Sequence, residues 1–170
     1  MSRVYLSLGT NIDRYKHITA ALNSLSETFG AIDCSAVYES EAVGFEGSHF
    51  LNAVVAIDTT LSCGALNQWL KELEDGYGRK RDVAKFSPRT LDIDILLFGD
   101  QVGDVDGVVL PRAEITYNAF VLKPLAELAP DLMHPVLHQS MSALWQGFDQ
   151  DSQLLWQVPF DWTPASTVRS

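Results

Sequence analysis

Two carboxylates separated by one residue, Asp92 and Asp94, stand in the stretch Leu91 to Phe98, LDIDILLF. Carboxylates at that spacing suit hard divalent cations, which prefer oxygen ligands and can be shared with a polyphosphate. The pattern around them says how they are presented. Leu91, Ile93 and Ile95 alternate with the two acids, and a Gly-Asp pair follows Phe98. Period-two alternation predicts a β-strand with both acids on one face and the aliphatics on the other. Two residues of rise separate the acids by about 6.6 Å. A merely solvated strand face is the plainer alternative, but Asp is depleted in strands and like charges on one face repel.

The segment just upstream weighs against that alternative. Gly76 to Arg89, GYGRKRDVAKFSPR, holds Arg79, Lys80, Arg81, Lys85 and Arg89 out of twelve Lys and Arg in the chain, whose net charge is -10. A basic, glycine-bearing loop running into a strand with two acids is the layout of a metal–polyphosphate site. Arg forks grip phosphate oxygens in pairs, while acids hold the metal that balances the rest. Lys80 and Lys85 are also explained as charges offsetting an acidic surface. Arg89, set beside Pro88 at the mouth of the strand, fits that explanation less well.

These groups need a scaffold, and the chain shows one. Arg3 to Leu8 reads as a first strand, followed by turn formers Gly9, Thr10 and Asn11. A helix follows, capped by Asn11 or Asp13, with Ile18, Leu22, Leu25 and Phe29 on one face and Gly30 as its stop. Ile32, Cys34, Ala36 and Tyr38 alternate as a second strand. The loop Glu39 to His49 comes next, long enough to suggest a function. Phe50 to Asp58 forms a third strand, with Leu51, Ala53, Val55 and Ile57 on one face and Phe50, Asn52, Val54 and Ala56 on the other. A second helix has Ser62 as cap, Leu66, Trp69, Leu70 and Leu73 as its stripe, and Gly76 at its end. The acid-bearing strand is the fourth.

Strand, helix, strand, strand, helix, strand is the ferredoxin-like βαββαβ order of the α+β class. It predicts an antiparallel sheet with both helices on one face and the other face free for substrates. Short C-terminal helices are expected at Ala119 to Leu128, around Pro124, and at Ser140 to Phe148. The division expected is one domain over 1–148 and a loosely attached tail over 149–170. Phe50 and Asn52 share a strand face, where a ring and an amide could stack on and hydrogen-bond a flat heterocycle. On the residues alone, an edge aromatic and a surface amide are the simpler account.

A pI near 4.6 argues against nucleic acid or anionic membrane as a general partner. Isolated Cys34 and Cys63, no apolar leader and no membrane-length run point to a soluble cytoplasmic protein, expected to be a monomer. His17, His49, His134 and His138 show no metal-ligand spacing and read as ordinary polar positions.

The stretch Ser87, Pro88, Arg89, Asp92, Asp94, Ile95 and Leu96 resembles the signature of the 6-hydroxymethyl-7,8-dihydropterin pyrophosphokinase family, and the similarity runs from Tyr5 to about Pro135. The resemblance implies an ATP-dependent enzyme of folate biosynthesis that moves pyrophosphate to the hydroxymethyl group of a reduced pterin. It implies two Mg²⁺ ions held by Asp92 and Asp94, with Asp92 also touching the pterin. Arg79 and Arg89 are implied to stabilise the transferring phosphates, and Glu74, Arg79, Arg81 and Arg89 to bind ATP. Ser40, Val43, Phe50, Asn52, Phe86 and Phe120 are implied to line or stack on the pterin. The opening YLSLGTNID is similar to the family's start and is given a structural role.

Some positions depart from the family pattern. Phe86 stands where many members carry Trp, Arg112 follows Pro111 where His is common, Asn118 replaces a basic residue, and Gly107 replaces an Arg near the acidic loop Asp100 to Asp106. Arg112 can restore a cation for ATP, although a guanidinium cannot accept a hydrogen bond as His can. A thinned ATP periphery raises two alternatives: a paralogue that binds pterin or nucleotide with little turnover, and a different two-metal nucleotidyl transferase on a ferredoxin-like sheet. An RNA-recognition domain shares the strand order but needs stacking aromatics on a basic sheet. No P-loop motif is present, as expected for transfer that rests on positioning and electrostatics.

Overall fold

A computed structural model describes residues 1–11, 13–40, 49–76 and 91–162. Its elements are β1 (Ser2–Thr10), α1 (Arg14–Phe29), β2 (Asp33–Cys34), β3 (Val37–Ser40), β4 (Phe50–Thr59), α2 (Cys63–Gly76), β5 (Asp92–Phe98), β6 (Gly103–Val105), β7 (Val108–Leu110), α3 (Ala119–Leu128), α4 (Met141–Gln146) and β8 (Leu155–Val158). The main sheet runs β5-β1-β4-β3-β8, and β2 also pairs with β4. Every pairing is antiparallel. Without β8 this is the order of a ferredoxin-like α+β sheet.

The two faces follow the alternation of the strands. Leu6, Leu8, Leu51, Ala53, Val55, Ile57, Ile93 and Ile95 point to the side covered by α1 and α2, where Ile18, Leu22, Leu25, Leu66 and Leu70 complete a closed core. Phe29 of α1 meets Trp69 of α2 edge to face at 5.0 Å, joining the two helices over the sheet. Burying each Leu or Ile of such a core stabilises by about 2 kcal/mol. Helix α1 starts at Asp13, whose side chain makes no capping bond, and ends at Gly30 with φ +82°. In α2 the expected cap holds, since the Ala65 N–H donates to Ser62 Oγ.

The opposite face is not left open throughout, as the strand order alone suggests. Val121, Leu122 and Leu125 of α3 and Met141 of α4 cover Tyr5, Val54, Ala56, Leu96 and Leu97 in a second core. A β-bulge makes this possible: the register passes from Tyr5 opposite Leu97 to Leu6 opposite Ile95, so Leu96 is extra and both leucines join that core. The end of this face carrying Asp92 and Asp94 lies beyond it.

Three other expectations are corrected. The second strand is broken at Ser35, whose backbone N–H and Oγ both engage Val54. The acidic loop after β5 is a hairpin whose two-residue turn, Asp106-Gly107, has φ of +54° and +87°. Both central residues of such a turn need positive φ, which explains Gly at 107. Finally, the stretch after 149 is not loosely attached up to 162. β8 pairs with β3, Phe160 stacks on Tyr15 at 6.1 Å, and Trp162 Nε1 donates to Asn23 Oδ1. Among the described residues no helix is long and apolar enough to cross a membrane.

Candidate active site

The site is built from three adjacent strands on the face away from α1 and α2. Gly9 at the centre lies opposite Asp92 on β5 and opposite Asn52 on β4. One pair closer to the second core, Ser7 lies opposite Asp94 and Val54. With strands about 4.8 Å apart, the acid and the amide flank a bare strip about two strand spacings wide. A Cβ at Gly9 would stand in that strip, 3.5 Å from Asn52 Oδ1. The missing side chain thus leaves a shallow slot with acids on one wall and an amide on the other.

On the amide wall, Asn52 Nδ2 donates to Ser40 Oγ at 2.8 Å, and both residues are buried. That bond fixes which way the amide turns. Phe50 is half-buried at the start of β4, opposite Ser40. Phe120 is half-buried in the first turn of α3 and packs on the second core, so it belongs to the same sheet face. Behind Ser40, Tyr38 donates its phenolic hydrogen to Glu127 of α3, and burial with that partner pushes its pKa far above the ordinary value. Lys123 Nζ lies over the Tyr38 ring at 5.6 Å.

On the acid wall, β5 is an outer strand, and α2 supplies the partner that a further strand would give. Glu74, with no exposed surface, accepts the Ile93 N–H at 2.6 Å, while Lys71 Nζ donates to the Ile93 carbonyl at 3.1 Å. Lys71 Nζ also lies 3.2 Å from Glu74 Oε2 and 3.6 Å from Asp94 Oδ1. Arg112 reaches the other oxygen, with Nη2 3.7 Å from Asp94 Oδ2. It is brought there by its backbone N–H, which donates to the Leu96 carbonyl at 3.0 Å. Its Nε is 2.8 Å from Glu114 Oε1, a charge contact whose alignment is not that of a hydrogen bond.

Burial and then the adjacent negative charge of Asp92 push Asp94 up to about 6, against the pull of Arg112 and Lys71. A divalent cation would relieve that repulsion, so the two carboxylates fit one. Among the described residues no third His, Cys, Asp or Glu joins them as a ligand, which leaves coordination positions for oxygens from elsewhere.

Of the residues singled out from sequence, Asp92, Asp94, Asn52, Ser40, Phe50 and Phe120 fall on one face, and Arg112 joins them at Asp94. Glu74 is corrected in part: its carboxylate is buried under the strand, engaged by Ile93 and Lys71, and is not displayed on the slot. Val43, Arg79, Arg81, Phe86 and Arg89 lie outside the described residues. Sequence reading missed Lys71, whose only signal was its i,i+3 spacing to Glu74 on α2. It also missed the cluster joining the ends of the 41–48 segment, where His49 Nδ1 meets Glu39 Oε2 at 2.9 Å and Arg14 Nη1 meets Glu39 Oε1 at 3.2 Å. The His49 contact, helped by Arg14, holds the Glu39 carboxyl below its usual range.

Residues 5–130 match the model of the family described as 7,8-dihydro-6-hydroxymethylpterin-pyrophosphokinase. The chain is 41% identical over 140 residues to 2-amino-4-hydroxy-6-hydroxymethyldihydropteridine pyrophosphokinase of Pseudomonas aeruginosa, covering 79% of this chain and 85% of that protein. It is 37% identical over 143 residues to the protein of the same name from Aquifex aeolicus, covering 83% and 89%. Among solved structures, wild-type HPPK-DHPS of Plasmodium falciparum with SDX-DHP aligns over 86% of this chain with a TM-score of 0.66 at 17% identity. An HPPK-DHPS in complex with substrates aligns over 89% with a TM-score of 0.68 at 14% identity. This chain spans 43% and 46% of those two longer chains, and at such identity the likeness is one of fold.

Proposed function

The chain belongs to the 7,8-dihydro-6-hydroxymethylpterin-pyrophosphokinase family and transfers pyrophosphate from ATP to the hydroxymethyl group of 6-hydroxymethyl-7,8-dihydropterin in folate biosynthesis, and we propose that the slot over Gly9 is where it does so. The observation that carries this placement is the row Asp92, Gly9, Asn52, with acids and an amide on either side of a bare glycine. The amide of Asn52, oriented by Ser40, offers a donor and an acceptor to the edge of the pterin. Phe50 and Phe120 stack on it, and the family resemblance assigns Val43 and Phe86, which lie outside the described residues, to the same ligand. Asp92 and Asp94 hold two Mg²⁺ ions, which supply charge neutralisation across the phosphates.

In the reaction the hydroxymethyl oxygen bonds to the β-phosphorus of ATP, its proton is released, and the bond from the β-phosphorus to the bridging oxygen of AMP breaks. Arg79 and Arg89 bear on the moving group, and Arg81 and Arg112 hold the nucleotide. Glu74 contributes by fixing β5, and through it the two acids. Rate enhancement of this kind comes from placement and preorganised charge. We place the enzyme in the cytoplasm as a monomer, consistent with its two unpaired cysteines.

The deciding assay mixes protein, ATP, Mg²⁺ and the hydroxymethyl dihydropterin and measures AMP. Binding of both ligands with no AMP would make the protein a binding paralogue. The placement has its own test. Phe50→Ala is expected to weaken pterin binding about fivefold, on the scale of 1 kcal/mol for one stacking ring, and to leave ATP binding unchanged by calorimetry. Equal losses for both ligands would put this ring outside the pocket.

Arg112 now has a position, and with it an expectation. Held 3.7 Å from Asp94 and half-exposed, it restores a cation beside the phosphates. Arg112→Ala is expected to raise the KM for ATP about tenfold, the lower end of a charge-assisted contact, with little change in the KM for pterin. Asn118→Arg is then close to neutral. A strong gain from Asn118→Arg and no loss from Arg112→Ala would reverse the assignment.

A further inference from the structure

Lys71 comes from the helix side of the sheet and reaches around the edge of β5 to the acid wall. Two of its three oxygen neighbours are fixed: the Ile93 carbonyl at 3.1 Å and Glu74 Oε2 at 3.2 Å. The ammonium group is therefore anchored whether or not Asp94 is engaged. Its distance to Asp94 Oδ1, 3.6 Å, is too long for a hydrogen bond but well within range of a strong charge interaction. Arg112 stands at 3.7 Å from the other oxygen in the same way. Both oxygens of Asp94 thus face a cation, and neither cation takes up a lone pair.

Such an arrangement treats two kinds of visitor differently. A bare divalent cation entering at Asp92 and Asp94 is repelled by the fixed charges beside it. A polyphosphate that arrives with its metal brings negative charge, which those same cations attract. We propose that Lys71 is a positioning residue that lowers the affinity of the carboxylate pair for bare divalent metal and raises the affinity of the site for nucleotide polyphosphate, so that metal enters together with its nucleotide. The proposal rests on the assignment of Asp92 and Asp94 as the metal-holding pair. It also gives a reason for Lys at this place in a chain with Gly107 and Asn118, since the anchored ammonium adds a cation on the nucleotide side.

The alternative role for Lys71 is purely structural, as the donor that completes the edge of β5. K71Q separates the two, because its amide keeps a donor for the Ile93 carbonyl and loses the charge. K71M loses both and reports the structural share. Mn²⁺ binding is read by electron paramagnetic resonance without nucleotide, and binding of a non-hydrolysable ATP analogue is read by calorimetry in EDTA. Relative to wild type, K71Q is expected to bind bare Mn²⁺ about tenfold more tightly and the metal-free analogue about tenfold more weakly, the scale of one charge contact. Opposite signs are the mark of the charge effect. If both affinities fall together, or neither moves by more than about twofold, the inference is overturned. D94N keeps that failure distinct from failure of the metal assignment. If wild-type Mn²⁺ binding in the presence of the analogue is insensitive to D94N, Asp94 is not a metal ligand and both ideas fall. If D94N abolishes it and K71Q changes nothing, only the role of Lys71 is lost.

Discussion

Asp94→Asn stops AMP formation and makes the nucleotide-free protein more stable at neutral pH. The loss of activity is expected to be a thousandfold or more, since removing a charge that holds metal against the phosphates costs several kcal/mol in the transition state. The gain in stability follows from linkage. An unfolded Asp titrates near 3.9, whereas in the folded chain burial and the charge of Asp92 push Asp94 up to about 6. Between those values the folded state holds more protons than the unfolded one, so stability falls as pH rises from about 4 through 6. Above that window the ionised carboxyl costs at most about 3 kcal/mol, from two pKa units at 1.36 kcal/mol each. Asn carries no such cost. Urea unfolding should therefore show D94N ahead of wild type at pH 7.5 and level with it near pH 4. Near-normal turnover in saturating Mg²⁺, or a D94N protein less stable than wild type at pH 7.5, would refute this account.

Glu74→Ala is expected to be the most destabilising of the substitutions considered, by about 3–5 kcal/mol, the usual cost of removing one partner of a buried ion pair. It leaves the Ile93 N–H with no acceptor, takes the counter-charge from Lys71 and opens a cavity under β5. Glu74→Gln keeps an acceptor for Ile93 and loses only the charge, so about 1–2 kcal/mol is expected. Denaturant midpoints at constant slope measure both. The order matters more than the sizes. If Ala and Gln are equally mild, Glu74 is not what holds the edge strand, and a direct role at the nucleotide becomes the better explanation. Turnover should fall in step with the looseness of β5, because Asp92 and Asp94 ride on it.

What the sequence made legible were the features with a strong local period. The alternation in β4 and β5 placed Asn52 and the two acids on one face, because successive side chains in a strand must point to opposite sides. The ferredoxin-like order followed from the sequence of elements. The bulge at Leu96 was not legible, since LDIDILLF continues its apolar run and only pairing with β1 shows which leucine is extra. The cover of α3 over the far face was missed because strand order says nothing of segments that return later. Lys71 and Glu74 fall outside the apolar stripe of α2, and Glu74 was singled out only through resemblance, as an ATP contact. Their role exists only because β5 is the outermost strand and its backbone groups need partners. Arg112 was found through resemblance, and its place beside Asp94 depends on one backbone bond to Leu96 that no pattern encodes.

The two borders of the main sheet are blunted by different means, and this bears on how the molecule behaves in a crowded solution. An uncovered strand border is a template on which another chain can add by backbone pairing, the first step of many aggregates. On one side β8 pairs with β3 and becomes the border itself, a strand of only four residues, Leu155–Val158. At β5 it is blunted by a carboxylate and an ammonium group from α2, charges that an incoming strand would have to strip of their partners. A short outer strand on one side and a charged brace on the other each leave an incoming strand little to pair with.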